Sequence, residues 1–416
     1  MKINRLSLAN VRAFNQVGFK FDPAFTLLVG INGVGKTTAL ETLRICLSRL
    51  VPQFTASRAR PDAFDLDDIQ IGADFLQIDL DLEIAGKEYR YLLLKQKDAH
   101  KPDQPGSVRQ DTFETPDREE LSPDLDAEAK PLKTAKSQPV AVYFSTRRSL
   151  VSDEQPRSGR ASGGQAAAYA DALSERPLRL AEFASWMLAQ KELSSELPRA
   201  RLHLGALQKA SSRFLPDCTG LRAEADDRPR LLIDKQGTTL DVRQLSDGER
   251  SMLALVLDLA RRLSQANPEL EDPIRDGKGV VLIDELDLHL HPTWQRKVVG
   301  QLTETFPACQ FIATTHSPQI IGEVPHDKIR IIREGKIFTP EYSFGIDSSR
   351  VLEELMETAP RNTNVEEQIG IIARLIADGK REQAITAIDA LSSEIGEDDP
   401  EVTRARTLLD FMEDEV

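Results

Sequence analysis

TLLVGINGVGKT, residues 26–37, decides the reading of this chain. Thr26 to Val29 form a short apolar run of the kind that makes a buried strand, and a helical pattern extends from Thr37 to Leu50. Between them GINGVGKT, residues 30–37, fits G-x-x-x-x-G-K-[ST] with a strand before it and a helix after it, the context that gives this pattern its meaning. The glycines let backbone N–H groups wrap phosphate oxygens, and the helix N-terminus adds a favourable dipole. Lys36 is expected to reach the β- and γ-phosphates, and the Thr37 hydroxyl to bind Mg²⁺. Asn32, Gly33, Gly35 and Thr38 complete the candidate phosphate contacts. The ligand implied is ATP with Mg²⁺.

Three further motifs follow in order. LSDGER, 245–250, opens a strong helix over Ser251 to Leu263. Ser246 and Glu249 fit S-x-x-E, an ordinary helix-capping box. The same serine and Gly248 also make a second phosphate-seeking helix end, which would need a phosphate other than the one on its own glycine loop. A head-to-tail dimer supplies one, with Ser246, Gly248 and Glu249 of one subunit facing the nucleotide of the other. VVLIDELDLHLHP, from Val280, ends a buried strand on two carboxylates. Asp284 is placed to hold Mg²⁺ through water and Glu285 to orient the attacking water. TTHSPQ, 314–319, puts His316 just past the strand Phe311 to Ala313, where it can hydrogen-bond a γ-phosphate.

The rest of the chain organises around these motifs. Strands are expected at residues 2–9, Phe75 to Ile84, Glu88 to Leu94 and Val140 to Phe144. Residues 97–139 are rich in Pro, Asp, Lys, Glu and Ser, and read as a mobile surface excursion. Residues 150–168 read as loose, and 169–215 as helical. Hairpins are expected around Gln236-Gly237 and between Ile329 to Arg333 and Lys336 to Thr339. The expected divisions are 1–149, a helical insertion lobe over 150–227, 228–346, and an acidic helical tail over 347–416.

Composition narrows the function classes. Apolar residues are 40% and charged residues 29% of 416, as in a globular protein. No apolar run approaches the length of a membrane span, and no secretory signal opens the chain. The three cysteines, Cys46, Cys218 and Cys309, lie far apart and form no CxxC pair, which points to a reducing cytoplasm. A net charge of −14 argues against a general polycation on nucleic acid but leaves room for a local basic groove.

Taken in this order, GINGVGKT, LSDGER, VLIDELDLHLHP and ATTHSPQ resemble the ABC-type ATPase heads of the SMC/RecF/OLD group. The resemblance implies an α/β fold of the P-loop NTPase, ABC/SMC-head type, with a mixed sheet, a helical insertion and a helical C-terminal tail. It implies that Asp287 faces the dimer mate and that His316 is the switch histidine. It also implies that Arg12, in LANVRAF, reaches toward the nucleotide, although a surface salt bridge explains that arginine equally well. A glutamine near the metal is expected from the same resemblance: Gln70 is favoured, with Gln77 as the alternative.

More narrowly, FASWML, ALQKASSRFLP, the stretch around LSDGER and the SFGIDSSRVLEELM tail resemble the ATPase subunit (PtuA-like) of Septu-type antiphage systems, also found beside some retrons. That resemblance implies an ATPase working as a homodimer or higher homo-oligomer with a separate HNH-type nuclease, with retron RNA or DNA as a nucleic-acid ligand. The alternative is a RecF-like DNA-binding repair ATPase, and less so a transporter motor. The tail offers no metal-site pattern of a nuclease, so any nuclease activity is expected from the partner. The tail is read as that partner's dock, or else as packing on its own head or on the dimer mate.

Overall fold

The computed structural model describes residues 1–97, 118–121, 123–149, 164–225 and 228–411. The chain divides into two compact units, Met1–Ser348 and Ser349–Val416.

The sheet that carries the sequence motifs contains β3 (Phe25–Val29), β7 (Val140–Phe144), β11 (Gly279–Ile283), β12 (Cys309–Thr315), β13 (Ile329–Arg333) and β14 (Lys336–Phe338). Their order is β14-β13-β3-β12-β11-β7. All neighbours are parallel except the edge strand β14. Every residue of β3, β7, β11 and β12 is buried, which is why they read as continuous apolar runs rather than alternating ones. Helix α1 (Lys36–Phe54) packs on β7, β11 and β12. Its Leu40, Leu43, Leu47 and Leu50 recur at helical spacing and are fully buried. Burial of each contributes roughly 1.5–3 kcal/mol before entropy is counted. Helix α5 (Asp247–Ala266) packs near β7, and α7 (Pro292–Thr305) makes the crossover from β11 to β12.

A second, antiparallel sheet holds β1 (Lys2–Val11), β2 (Phe14–Lys20), β4 (Phe75–Ile84), β5 (Lys87–Gln96) and β6 (Arg118–Leu121), in the order β2-β1-β4-β5-β6. The alternation in FLQIDLDLEI is literal: Leu76, Ile78, Leu80, Leu82 and Ile84 are buried and the residues between them are not. Gln310 joins the two sheets. Its side chain accepts from Ile3 N (2.7 Å) and donates to the carbonyls of Ile3 (2.8 Å) and Asp22 (2.9 Å). This completely buried amide is therefore satisfied, as a buried polar group must be.

The structure differs from the sequence reading between 97 and 139. Residues 98–117 lie outside the described residues. Beyond them β6 pairs with β5, and α2 (Pro123–Lys133) packs on α1 with Leu125 fully buried. A polar segment is held here by a few anchors, including Tyr89 Oη donating to Glu128 at 2.6 Å. The expected loose stretch 150–168 falls on residues 150–163, outside the described residues, and on a 3₁₀ turn, Gln165–Tyr169, that buries Ala168 and Tyr169.

The lobe is not wholly helical either. Helices α3 (Leu180–Leu193) and α4 (Pro198–Phe214) are followed by β8 (Cys218–Ala225), which pairs with β9 (Pro229–Lys235), itself paired with β10 (Thr238–Asp241). Strand β8 begins before the expected boundary at 227. A register irregularity between Thr219 and Arg222 breaks the alternation that would have marked it.

Short helices α6 (Pro273–Asp276) and α8 (Pro318–Ile321) sit in loops of the first unit, and α9 (Ser348–Arg350) leads into the second. There α10 (Thr363–Ala377), α11 (Arg381–Ile395) and α12 (Pro400–Phe411) enclose a small core of Val365, Ile372, Ala384, Ile388, Leu391 and Val402. Gly379, with φ of +71°, supplies the left-handed turn between α10 and α11.

Candidate functional site

Parallel pairing brings the motifs to one edge of the sheet. Val29 is opposite Thr315, and Ile283 is opposite both Ala313 and Phe144, so β3, β7, β11 and β12 end together. Ligand sites of open α/β sheets lie outside such carboxyl ends. The glycine loop, Asp284-Glu285 and His316 all leave the sheet there.

The loop is shaped by two left-handed glycines, Gly33 (φ +83°) and Gly35 (φ +107°). Gly35 is doubly constrained, because a Cβ on it would run into the Phe14 ring. Helix α1 starts straight after it with no side-chain cap, leaving its first N–H groups for a ligand. Asn32 and Gly33 are exposed on the loop, and Thr38 lies on the first turn of α1. Lys36 is folded back: its ammonium donates to the carbonyls of Gly30 (2.7 Å) and Ile31 (2.9 Å). Burial draws its pKa down to about 8, against the opposing pull of Asp284, Glu285 and Asp287.

Thr37 and Asp284 face each other. The Thr37 hydroxyl lies 3.4 Å from both carboxylate oxygens of Asp284. Two oxygens bound directly to one octahedral Mg²⁺ would be about 3 Å apart, given bonds of about 2.1 Å. The observed gap is close to that spacing, so the two side chains are near enough to serve one ion. No cluster of three or more His, Cys, Asp or Glu side chains able to hold a metal occurs among the described residues. A hard ion held by few side chains and completed by phosphate and water is the pattern Mg²⁺ favours.

The turn after β11 is the most constrained part of the site. Glu285 is left-handed (φ +49°), and His289 is too (φ +60°). For a non-glycine residue this conformation costs roughly 1–3 kcal/mol and persists only when the surroundings fix it. Thr314 and Arg148 fix it. Glu285 N donates to Thr314 Oγ1 at 2.7 Å, and that hydroxyl donates to Asp284 Oδ1 at 2.7 Å. The Arg148 guanidinium donates to the carbonyls of Ser145 (3.1 Å), Asp284 and Glu285. Arg148 is 2% exposed. Burial brings its pKa down to about 10, opposed by Asp284, Asp287 and Glu285. Neither Arg148 nor Thr314 is among the sequence candidates.

His316 is half-buried. Burial and then the neighbouring Lys36 ammonium lower its pKa, against three carboxylates. Asp287 is turned inward, accepting from Thr315 Oγ1 (2.5 Å) and His316 N (3.2 Å). Both bonds use Oδ1, and the residue is half-buried, so its other oxygen is not engaged by these two groups.

Arg12 is held by two carboxylates. Its guanidinium pairs with Glu41 on α1 and with Asp68 (2.7 Å), and its backbone is held by Asp68 O at 2.8 Å. Burial works against its charge, yet Asp68 and Glu41 raise its pKa. These are the pairs of the salt-bridge reading, and the side chain is 40% exposed. Gln70 is half-buried, with its N–H on Asn10 O at 2.9 Å; Gln77 sits within β4 opposite Ala9. Neither bonds to Thr37 or Asp284 among the hydrogen bonds of the described residues.

The 245–250 turn forms the capping box. Ser246 caps α5 in a reciprocal box: its Oγ accepts from Glu249 N (3.4 Å), while Glu249 Oε2 accepts from Ser246 N (3.1 Å) and from the Ser246 hydroxyl (2.8 Å). Lys235 holds the other Glu249 oxygen at 2.6 Å. Ser246 and Asp247 are nonetheless exposed, while Gly248 lies against the backbone of His289.

Residues 25–322 match the family described as "AAA domain, putative AbiEii toxin, Type IV TA system". The chain belongs to this family. The matched AAA domain includes the glycine loop, the 245–250 turn, the acidic strand end and His316, and makes the protein a member of an ATPase family. Among curated relatives, "Retron Ec83 probable ATPase" of Escherichia coli is 43% identical over 159 residues, 38% of this chain and 29% of that protein. "Septu protein PtuA" of Bacillus thuringiensis is 30% identical over 126 residues, 28% of this chain and 32% of that protein. The similarity thus spans about a third or less of each relative's length. Of solved structures, the SMC head domain from Thermotoga maritima aligns with a TM-score of 0.45 and 14% identity, over 82% of this chain and 100% of that one. No helix among the described residues is long and apolar enough to cross a membrane.

Proposed function

We propose that this chain binds ATP with Mg²⁺, hydrolyses it, and closes as a dimer of heads over the nucleotide to control a partner nuclease in antiphage defence. The observation that carries the first part is the convergence of Lys36, Thr37, Asp284, Glu285 and His316 at one sheet edge beside an uncapped helix end.

In this reading the Lys36 ammonium leaves the Gly30 and Ile31 carbonyls for the outer phosphates. Thr37 and Asp284 hold Mg²⁺, which would neutralise charge on the phosphates. Glu285 orients the attacking water, and His316 contacts the γ-phosphate. The exposure of Ser246 and Asp247 at the start of α5 supports the dimer, because a second subunit can reach that end.

The partner role draws on the named relatives and on charge. Residues 349–416 carry 17 acidic and 7 basic side chains, so they hold ten of the fourteen net negative charges. That disfavours the tail as a surface for retron RNA or DNA and suits a basic protein such as a separate HNH-type nuclease. Exposed Ile371 and Phe411 give such a surface an apolar component. The setting we infer is the cytoplasm, where the three buried cysteines stay as free thiols.

The test is ATP turnover and nuclease pull-down with the full chain, Lys36→Ala and a 1–348 truncation. Lys36→Ala should lose ATP binding. The truncation should keep ATP binding and lose the nuclease. Unchanged ATP affinity in Lys36→Ala, or full retention of the nuclease by the truncation, would refute the corresponding half of the reading.

A further inference from the structure

We infer that Arg148 and Thr314 form a clamp that aims Glu285, making them positioning residues for hydrolysis rather than parts of the general core. The inference rests on the ATPase reading above and adds to it how the general base is set.

The geometry is specific to one peptide unit. Glu285 is held at its N–H by the Thr314 hydroxyl and at its carbonyl by the Arg148 guanidinium. Its backbone lies in the left-handed region, where an unclamped glutamate would not rest. With both ends of the residue fixed, the direction of its Cα–Cβ bond is fixed as well, which limits where the carboxylate can reach. Thr314 does a second job with the same hydroxyl, donating its proton to Asp284 Oδ1 while accepting from Glu285 N. The metal-holding carboxylate and the water-orienting carboxylate are thereby set relative to each other.

Arg148 reaches this turn from the end of β7, 136 residues away in sequence, and has almost no exposed surface. A buried guanidinium spent on backbone carbonyls is unusual for stability alone, because desolvating a cation costs more than neutral hydrogen bonds return. Here it also lies among the carboxylates of Asp284, Asp287 and Glu285, whose repulsion it relieves. Among the hydrogen bonds of the described residues, neither Arg148 nor Thr314 bonds to Lys36 or Thr37, so the Lys36 contacts that shape the phosphate loop do not depend on the clamp.

The test measures kcat, KM and equilibrium ATP binding for Thr314→Val, Thr314→Ser and Arg148→Lys in the full chain, each with its unfolding midpoint. Thr314→Val removes the hydroxyl at nearly constant volume. It should lower kcat on the order of 10–100-fold, as misaimed catalytic groups do, with ATP affinity kept within about threefold. Thr314→Ser should recover most of that loss. Arg148→Lys, with one ammonium for a two-pronged donor, should show the same split between kcat and KM. If Arg148→Lys does not fold, the Thr314 pair still decides. Unchanged kcat in Thr314→Val, failure of serine to rescue, or proportional loss of kcat and ATP binding would overturn the clamp. A wild-type chain that binds ATP without turning it over would instead overturn the hydrolysis reading, and the clamp with it.

Discussion

Gly248 lies so close to His289 that a Cβ added to it would stand 2.5 Å from the His289 carbonyl oxygen. The start of α5 is thus packed on the turn that follows Asp284-Glu285, within a single subunit. The glycine is required by this contact whether or not it also meets a nucleotide. Gly248→Ala should therefore cost roughly 1–3 kcal/mol in stability, the usual penalty of overpacking, as well as activity. Thermal unfolding beside ATP turnover checks both, and an alanine variant as stable as the parent would contradict the contact.

Ser246 separates capping from function. Aspartate caps helices about as well as serine, so Ser246→Asp should leave stability nearly unchanged, less a few tenths of a kcal/mol for its proximity to Glu249. Its carboxylate would repel a partner's γ-phosphate, so ATP-dependent self-association should be lost. Sedimentation with and without ATP·Mg²⁺ reads this directly. Intact association would assign Ser246 to capping alone.

Lys36 predicts a proton linkage. Its pKa in the free chain is drawn to about 8, and phosphate contact would raise it again. ATP binding should then take up about half a proton at pH 8 and almost none at pH 6.5, where the ammonium is already charged. Affinity should fall as pH rises above 8. Calorimetry in two buffers of different ionisation enthalpy measures the uptake; none at pH 8 would contradict the buried, carbonyl-bound lysine.

Asp258 predicts acid behaviour away from the site. On α5 its carboxylate is buried against Arg262 (2.7 Å), Arg261 (2.9 Å) and Arg176 (3.6 Å). Burial would raise its pKa, but the three arginines hold it well below the usual carboxylate range. A carboxylate depressed in the folded state stabilises it above the unfolded value of about 3.9, and that contribution drains away as pH falls below it. Asp258→Asn should cost roughly 3–5 kcal/mol at neutral pH, because it leaves the buried guanidiniums short of a counter-charge. It should also flatten the stability profile below pH 4, which denaturant titrations at several pH values would show.

The parts of the site that are local in sequence were legible in it. The glycine loop, the apolar strand ending at Asp284-Glu285 and the serine box at 246–249 each declare themselves within a dozen residues. Arg148 did not, because its partners are 136 and 137 residues away. Thr314 was passed over beside His316, since a threonine in a buried strand gives no sign that its hydroxyl ties the Asp284 carboxylate to the Glu285 backbone. The bonds from the end of β12 to Asp287 Oδ1 were likewise not readable, because they join segments 28 and 29 residues apart. Strand β6 and helix α2 were hidden by polar composition, because Leu125 is the one buried apolar side chain among the described residues of α2.

The most direct test is the mass of Glu285→Gln in solution with saturating ATP·Mg²⁺. With the phosphate-binding residues intact and the water-orienting carboxylate neutralised, the variant should hold ATP unhydrolysed and at least double its mass on adding nucleotide, returning when ATP is withdrawn. A variant that binds ATP yet keeps the same mass, or that hydrolyses ATP at the wild-type rate, would contradict the account.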